Sequence, residues 1–84
     1  MSEVRVTVTN EEFGPHHAMH GTPHNVRSRL FRFELPQGTA EVDQTDYGHP
    51  GRWNPCHAKK VPGALQPKTN QLVAAAEGVA ALLD

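Results

Sequence analysis

The stretch Arg27-Ser28-Arg29-Leu30-Phe31-Arg32-Phe33-Glu34-Leu35-Pro36-Gln37-Gly38-Thr39-Ala40-Glu41-Val42-Asp43-Gln44 decides the fold class. From Arg27 to Leu35 the pattern has period two. Phe31, Phe33 and Leu35 share one face, and Leu30, Arg32 and Glu34 share the other. Successive side chains of a strand point to opposite faces, so this is a half-buried strand with an aromatic inner row. Pro36 to Thr39 carries turn chemistry, and Ala40 to Gln44 alternates again. Pairing Leu35 with Ala40 sets Phe33 opposite Val42 on the inner face and Arg32 opposite Asp43 on the outer one. A slip of one residue would bring Glu41 opposite Phe33 and bury a charge, so the register is expected to be well specified.

Outward from this hairpin, Val4, Val6 and Val8 alternate with Arg5, Thr7 and Thr9, which reads as a further strand over 3–9. Asn10 to Gly14 reads as a turn, and Pro15 to Asn25, with two prolines and no periodicity, as a long loop. On the other side, Thr45 to Pro67 holds Gly48, Gly51, Gly63, Pro50, Pro55, Pro62 and Pro67, too many breakers for a helix. It also holds Tyr47 and Trp53, so the expectation is an irregular wrap over 45–67 that crosses the sheet, anchored by Trp53 with Val61 and Leu65 as smaller anchors. Residues 68–83 read as a helix, with Thr69 as N-cap and Pro67 just outside. Its stripe of Leu72, Val79 and Leu83, flanked by Ala75 and Ala76, is expected to cover Phe31, Phe33 and Val6. The expected architecture is one α+β domain over 1–84: a small antiparallel β-meander of about three strands (3–9, 27–35, 40–44), long irregular loops, and one C-terminal helix packed on the sheet.

The chain has 84 residues, which suits a single domain with a thin core. Below roughly 70–80 residues one hydrophobic core rarely contributes more than about 3–5 kcal/mol net, so partners often contribute. Cys56 is the only cysteine, which rules out an intrachain disulfide and fits a reducing compartment. Met1-Ser2-Glu3-Val4 leads directly into strand alternation rather than a signal peptide, and Leu72 to Leu83 is too short to cross a bilayer. A cytoplasmic or virion-assembled chain is expected, neither secreted nor in a membrane. The formal charge of −1 is not that of a dedicated polyanion binder. Protonating all six histidines would carry the charge from −1 to +5, so a pH response is one reading and solvated loop histidines the blander one.

Four constellations bear on chemistry. His16, His20 and His24 recur every four residues, and His49, Cys56 and His57 follow; imidazole and thiolate are the ligands zinc prefers, which makes a zinc-stabilised module one alternative. Trp53-Asn54-Pro55-Cys56-His57-Ala58-Lys59-Lys60, taken with His16-His17, is similar in residue types to the His/Asn/His arrangement of small metal-dependent nucleases. It departs from that pattern because the 68–83 helix carries no ligand. Cys56 with a histidine base has the components of a nucleophile, but His57 is its neighbour and points the other way on an extended chain. Arg27, Arg29, Arg32, Arg52, Lys59 and Lys60, with Tyr47 and Trp53 as stacking groups, would suit nucleic acid, although six acidic residues dilute the field.

The expectation that follows is a non-enzymatic structural or interaction protein with no cofactor, an accessory subunit of a larger assembly such as a decoration or connector subunit of a phage virion. Its partners would be other protein subunits or copies of itself. Trp53, Tyr47 and Arg52 are the expected contact residues on the irregular segment. Ala74 and Gly78 are those on the helix, where small side chains admit a second backbone. A regulator that binds a macromolecule is the alternative from another class.

Overall fold

The computed structural model describes residues 4–17, 23–46 and 53–84, with side chains described at 4–12, 26–46 and 53–84. Four antiparallel strands follow one another in sequence and in space: β1 (Arg5–His17), β2 (Pro23–Leu35), β3 (Gly38–Asp46) and β4 (His57–Lys60). A 3-10 segment (Gly63–Lys68) and one helix, α1 (Thr69–Leu83), complete the elements among the described residues. The α+β class and the helix packed on an antiparallel sheet are as the pattern predicts.

The hairpin between β2 and β3 keeps its predicted faces but not its predicted register. Leu35 pairs with Gly38, leaving only Pro36 and Gln37 in the turn, and Phe33 stands opposite Ala40, Phe31 opposite Val42 and Arg32 opposite Glu41. The offset from the expected pairing is two residues. A shift of two preserves both faces, so hydrophobic alternation cannot choose between these registers, and the turn chooses. Gly38 has φ of 141°, a conformation that favours glycine. Arg32 consequently meets Glu41 at 3.6 Å rather than Asp43.

β1 and β2 run further than expected. The predicted turn at Asn10–Gly14 and much of the predicted loop at Pro15–Asn25 are strand, with pairing as far as His16 with His24 and His17 with Pro23. Two exceptions to strand chemistry allow this. Pro15 lies in an edge strand within a register irregularity between Phe13 and His16, and Pro23 is the first residue of β2. The expected 45–67 wrap also contains β4, which pairs with β3 through Val42 and Ala58.

The core lies between the inner face of the sheet and α1. Phe31, Phe33, Ala40 and Val42 come from the sheet, Cys56 from the approach to β4, Leu65 from the 3-10 segment, and Leu72, Ala76 and Ala80 from α1. Full burial of a Phe, Leu or Val side chain contributes about 1.5–3 kcal/mol, and Phe31, Leu65 and Val42 are the largest that reach it. The buried stripe of the helix is Leu72, Ala76 and Ala80, with Val73 and Val79 at its margins. Leu83, placed in the stripe from sequence, is exposed, and so is Val6. Spacing of four with alanine at two positions brings the helix backbone close to the sheet, and large side chains would hold it off. Thr69 is the first helical residue rather than the N-cap, and its hydroxyl donates to the Gln66 carbonyl at 2.7 Å, joining the 3-10 segment to α1. Among the described residues no helix is long and apolar enough to cross a membrane.

Candidate interaction surface

The inner row of β2 continues from Phe33 and Phe31 into Arg29 and Arg27. The inner row of β3 continues from Ala40 and Val42 into Gln44 and Asp46. The core therefore ends in a polar cluster. Arg29 is only 5% exposed. Its Nε donates to Gln44 Oε1 at 2.8 Å, and its terminal nitrogen reaches both carboxylate oxygens of Asp84 at 3.0 and 3.1 Å. Asp84 sits four residues past Ala80, so the buried helix stripe ends in an acid aimed at the buried cation. Gln44 Nε2 donates to the Asn54 carbonyl at 2.9 Å, and the Asn54 N–H donates to the Thr45 carbonyl at 3.0 Å. Arg27 pairs with Asp46 at 2.9 Å. These bonds bring Trp53 onto the sheet, where the guanidinium carbons of Arg29 and Arg27 lie 4.0 and 4.4 Å from its ring centroid. Both are cation–π distances.

The other residues singled out from sequence are dispersed. Tyr47, Arg52, His20 and His49 lie outside the described residues, as do the side chains of His16, His17 and His24. His57 is exposed on β4. Cys56 lies in the core, its N–H donating to Glu77 Oε1 at 2.7 Å. Burial, followed by the negative charge of Glu77, pushes its thiol up to about 11. A thiolate ligand or nucleophile needs the opposite surroundings. No three His, Cys, Asp or Glu side chains among the described residues converge as a metal site. Of the arginines considered for nucleic acid, Arg27, Arg29 and Arg32 each face a carboxylate within the chain. Ala74 and Gly78 are exposed on the outer side of α1, and a Cβ built at Gly78 meets nothing within 4 Å. Leu82, on that same side, is 87% exposed.

The sheet has two edges of different character. β4 is four residues long, carries Lys59 and Lys60, and is followed by Pro62, the short, charged, proline-flanked kind of edge that resists pairing. β1 is the reverse. From Arg5 to Glu12 it has no proline, glycine or lysine, and its pairing with β2 is regular through Phe13. The direction of its free groups follows from the hairpin. A two-residue turn closes on a hydrogen-bonded pair, here Leu35 and Gly38, so odd-numbered residues of β2 bond to β3 and even-numbered ones to β1. With Thr7 opposite Arg32 and Thr9 opposite Leu30, odd residues of β1 bond to β2, while Val6, Val8 and Asn10 turn N–H and C=O to the open edge. The side chains add to this. Val6 and Val8 stand opposite Phe33 and Phe31 on the inner face, yet α1 packs over β3 and β4. Val8 touches the core, Val6 is 39% exposed and Val4 is 57% exposed.

No family model, curated protein or solved structure matches the chain.

The β1 edge was missed from sequence, although its signal was present: a valine row with no gatekeeper between Arg5 and Glu12. The Arg29–Asp84 pair had no local signal.

Proposed function

We propose that this chain is a non-enzymatic interaction protein, an accessory subunit that works by pairing with other protein chains in a larger assembly. The observation that carries this reading is the β1 edge. It is long, open along the backbone among the described residues, and lined on its inner side by Val4 and Val6, which the chain's own helix leaves exposed. A backbone edge recognises another strand through main-chain hydrogen bonds and needs no catalytic group. Virion decoration and connector subunits belong to the same class of small accessory proteins. The reading that Arg27 and Arg29 hold nucleic acid is weaker, since both guanidinium groups are engaged by carboxylates and by Trp53.

The test is the state of the untagged protein in its source. Gentle lysis, rate-zonal sedimentation and quantitative mass spectrometry should place it in a particle much heavier than itself, at fixed stoichiometry with other chains. Recovery only as free chain would overturn the proposal.

A further inference from the structure

We infer that the partner at this edge is a second copy of the chain, with the two β1 strands antiparallel about a two-fold axis at Val8 so that eight strands form one sheet. This rests on the interaction reading above and names its partner.

The charge order of β1 favours self-pairing in one direction. Arg5 stands near one end of the regular stretch and Glu11 near the other, both exposed on the outer face. Parallel pairing in register would set Arg5 beside Arg5 and Glu11 beside Glu11. Antiparallel pairing about Val8 sets Arg5 opposite Glu11 of the second copy, twice by symmetry, and Thr7 opposite Thr9. Opposite charges across a strand pair stabilise it, and like charges oppose it. The inner face agrees. Val8 meets Val8 on the axis, Val6 of each copy lies diagonal to the second copy's Val8, and Asn10 of the second copy stands directly opposite Val6. The hydrogen-bond phase agrees as well, since Val6, Val8 and Asn10 are the residues whose N–H and C=O point outward, and this register pairs them with one another. A shift by one residue would turn the second copy's valines to the outer face. The irregularity between Phe13 and His16 ends the regular stretch beyond Glu12. Such an interface is isologous and closes at two copies, which prevents the edge from propagating into a fibre.

Sedimentation equilibrium on the full chain, with circular dichroism to check folding, tests this. The wild type should be a dimer that dissociates on dilution. Glu11→Arg should weaken it by about tenfold or more, because the change acts at two symmetric positions. Arg5→Glu should do likewise, and the double variant should recover most of the wild-type affinity. Val6→Pro removes an outward N–H and leaves the β1–β2 bonds in place, so it should give a folded monomer, whereas Thr7→Pro breaks a β1–β2 bond and should lower the melting temperature. A wild type that stays monomeric at every concentration overturns the second copy. So does a dimer indifferent to Val6→Pro and to the charge exchanges. If that monomer still sediments in a heavy particle from its source, only the second copy falls. If it is free there too, the subunit reading falls with it.

Discussion

Replacing Arg29 by methionine should cost this protein a large part of its stability. The side chain is almost fully buried and has three engagements. Its loss leaves Gln44, itself 5% exposed, with an unpaired side-chain carbonyl, and a buried group so stranded costs about 1–3 kcal/mol. The cation over Trp53 contributes about 0.5–2 kcal/mol. The ion pair with Asp84 is discounted, because that carboxylate is 50% exposed and rehydrates when released. Together these come to about 3 kcal/mol, against a total of roughly 4–13 kcal/mol for a domain of this length. The melting temperature should fall by roughly 12–24 °C, at 4–8 °C per kcal/mol for a domain this small. Urea unfolding followed by fluorescence reads this directly, because Trp53 is the single tryptophan and lies on Arg29. Arg29→Lys should fall between, since it keeps the charge but not the planar fork. Asp84→Ala should cost no more than about 1 kcal/mol. An Arg29→Met variant as stable as Asp84→Ala would refute the reasoning, because the buried end of the network would then contribute nothing.

Three further outcomes follow from the same structure. The Cys56 thiolate should appear near pH 11 by ultraviolet absorbance in the folded protein. The unfolded thiol ionises first, so the stability held by this group is full below pH 9 and is lost as pH rises from about 9 to 11, a dependence that Cys56→Ala should remove. Glu77→Gln keeps an acceptor for the Cys56 N–H and deletes the charge, so the thiol titration should move down toward its usual value and alkylation of Cys56 should speed up; no movement would show that burial alone sets the shift. Gly38→Ala and Gly78→Ala should have opposite signs in thermal melts. The first adds a Cβ at φ of 141° and 3.2 Å from Pro62, and should destabilise by more than about 1 kcal/mol. The second fills open space in a helix and should stabilise by about 0.5–1 kcal/mol.

The parts of the fold visible in the sequence are those set by local period. Phe31 and Phe33 alternate with Leu30 and Arg32 whatever their partners, so the faces of β2 and β3 were recoverable. Leu72, Ala76 and Ala80 fall on the helical period as well, although the larger Val79 and Leu83 drew the predicted stripe to one side. What a period cannot supply was not recoverable. A register offset of two leaves every face unchanged, and only the two-residue turn at Pro36-Gln37 separates the alternatives. Pro15 and Pro23 read as loop residues because proline's cost depends on whether its missing N–H would have been used, and an edge strand or a strand's first residue does not use it. β4 shows no alternation because all four of its residues are exposed, and backbone pairing to β3 holds it there. Arg29 and Asp84 are 55 residues apart, and nothing near either names the other.

The uncovered β1 follows from the proportions of the elements. A helix with its side chains is about 10–12 Å wide, while strands lie about 4.8 Å apart, so one helix covers roughly two strands. α1 has 15 residues, about 22 Å of length, against about 43 Å for the 13 residues of β1. Small residues at Ala76 and Ala80 set this helix down over β3 and β4, and Asp84 pins its end to Arg29. No rearrangement of a single helix could then reach Val4 and Val6. A sequence that needed only to fold would be expected to blunt such an edge, as β4 is blunted by its lysines and by Pro62. β1 instead keeps alternating valine and threonine, and its Arg5, already opposite Glu34 of β2, stands six residues from Glu11, a spacing that also suits an antiparallel neighbour. The edge whose burial is left to something else is also the one whose residues fit a strand like itself.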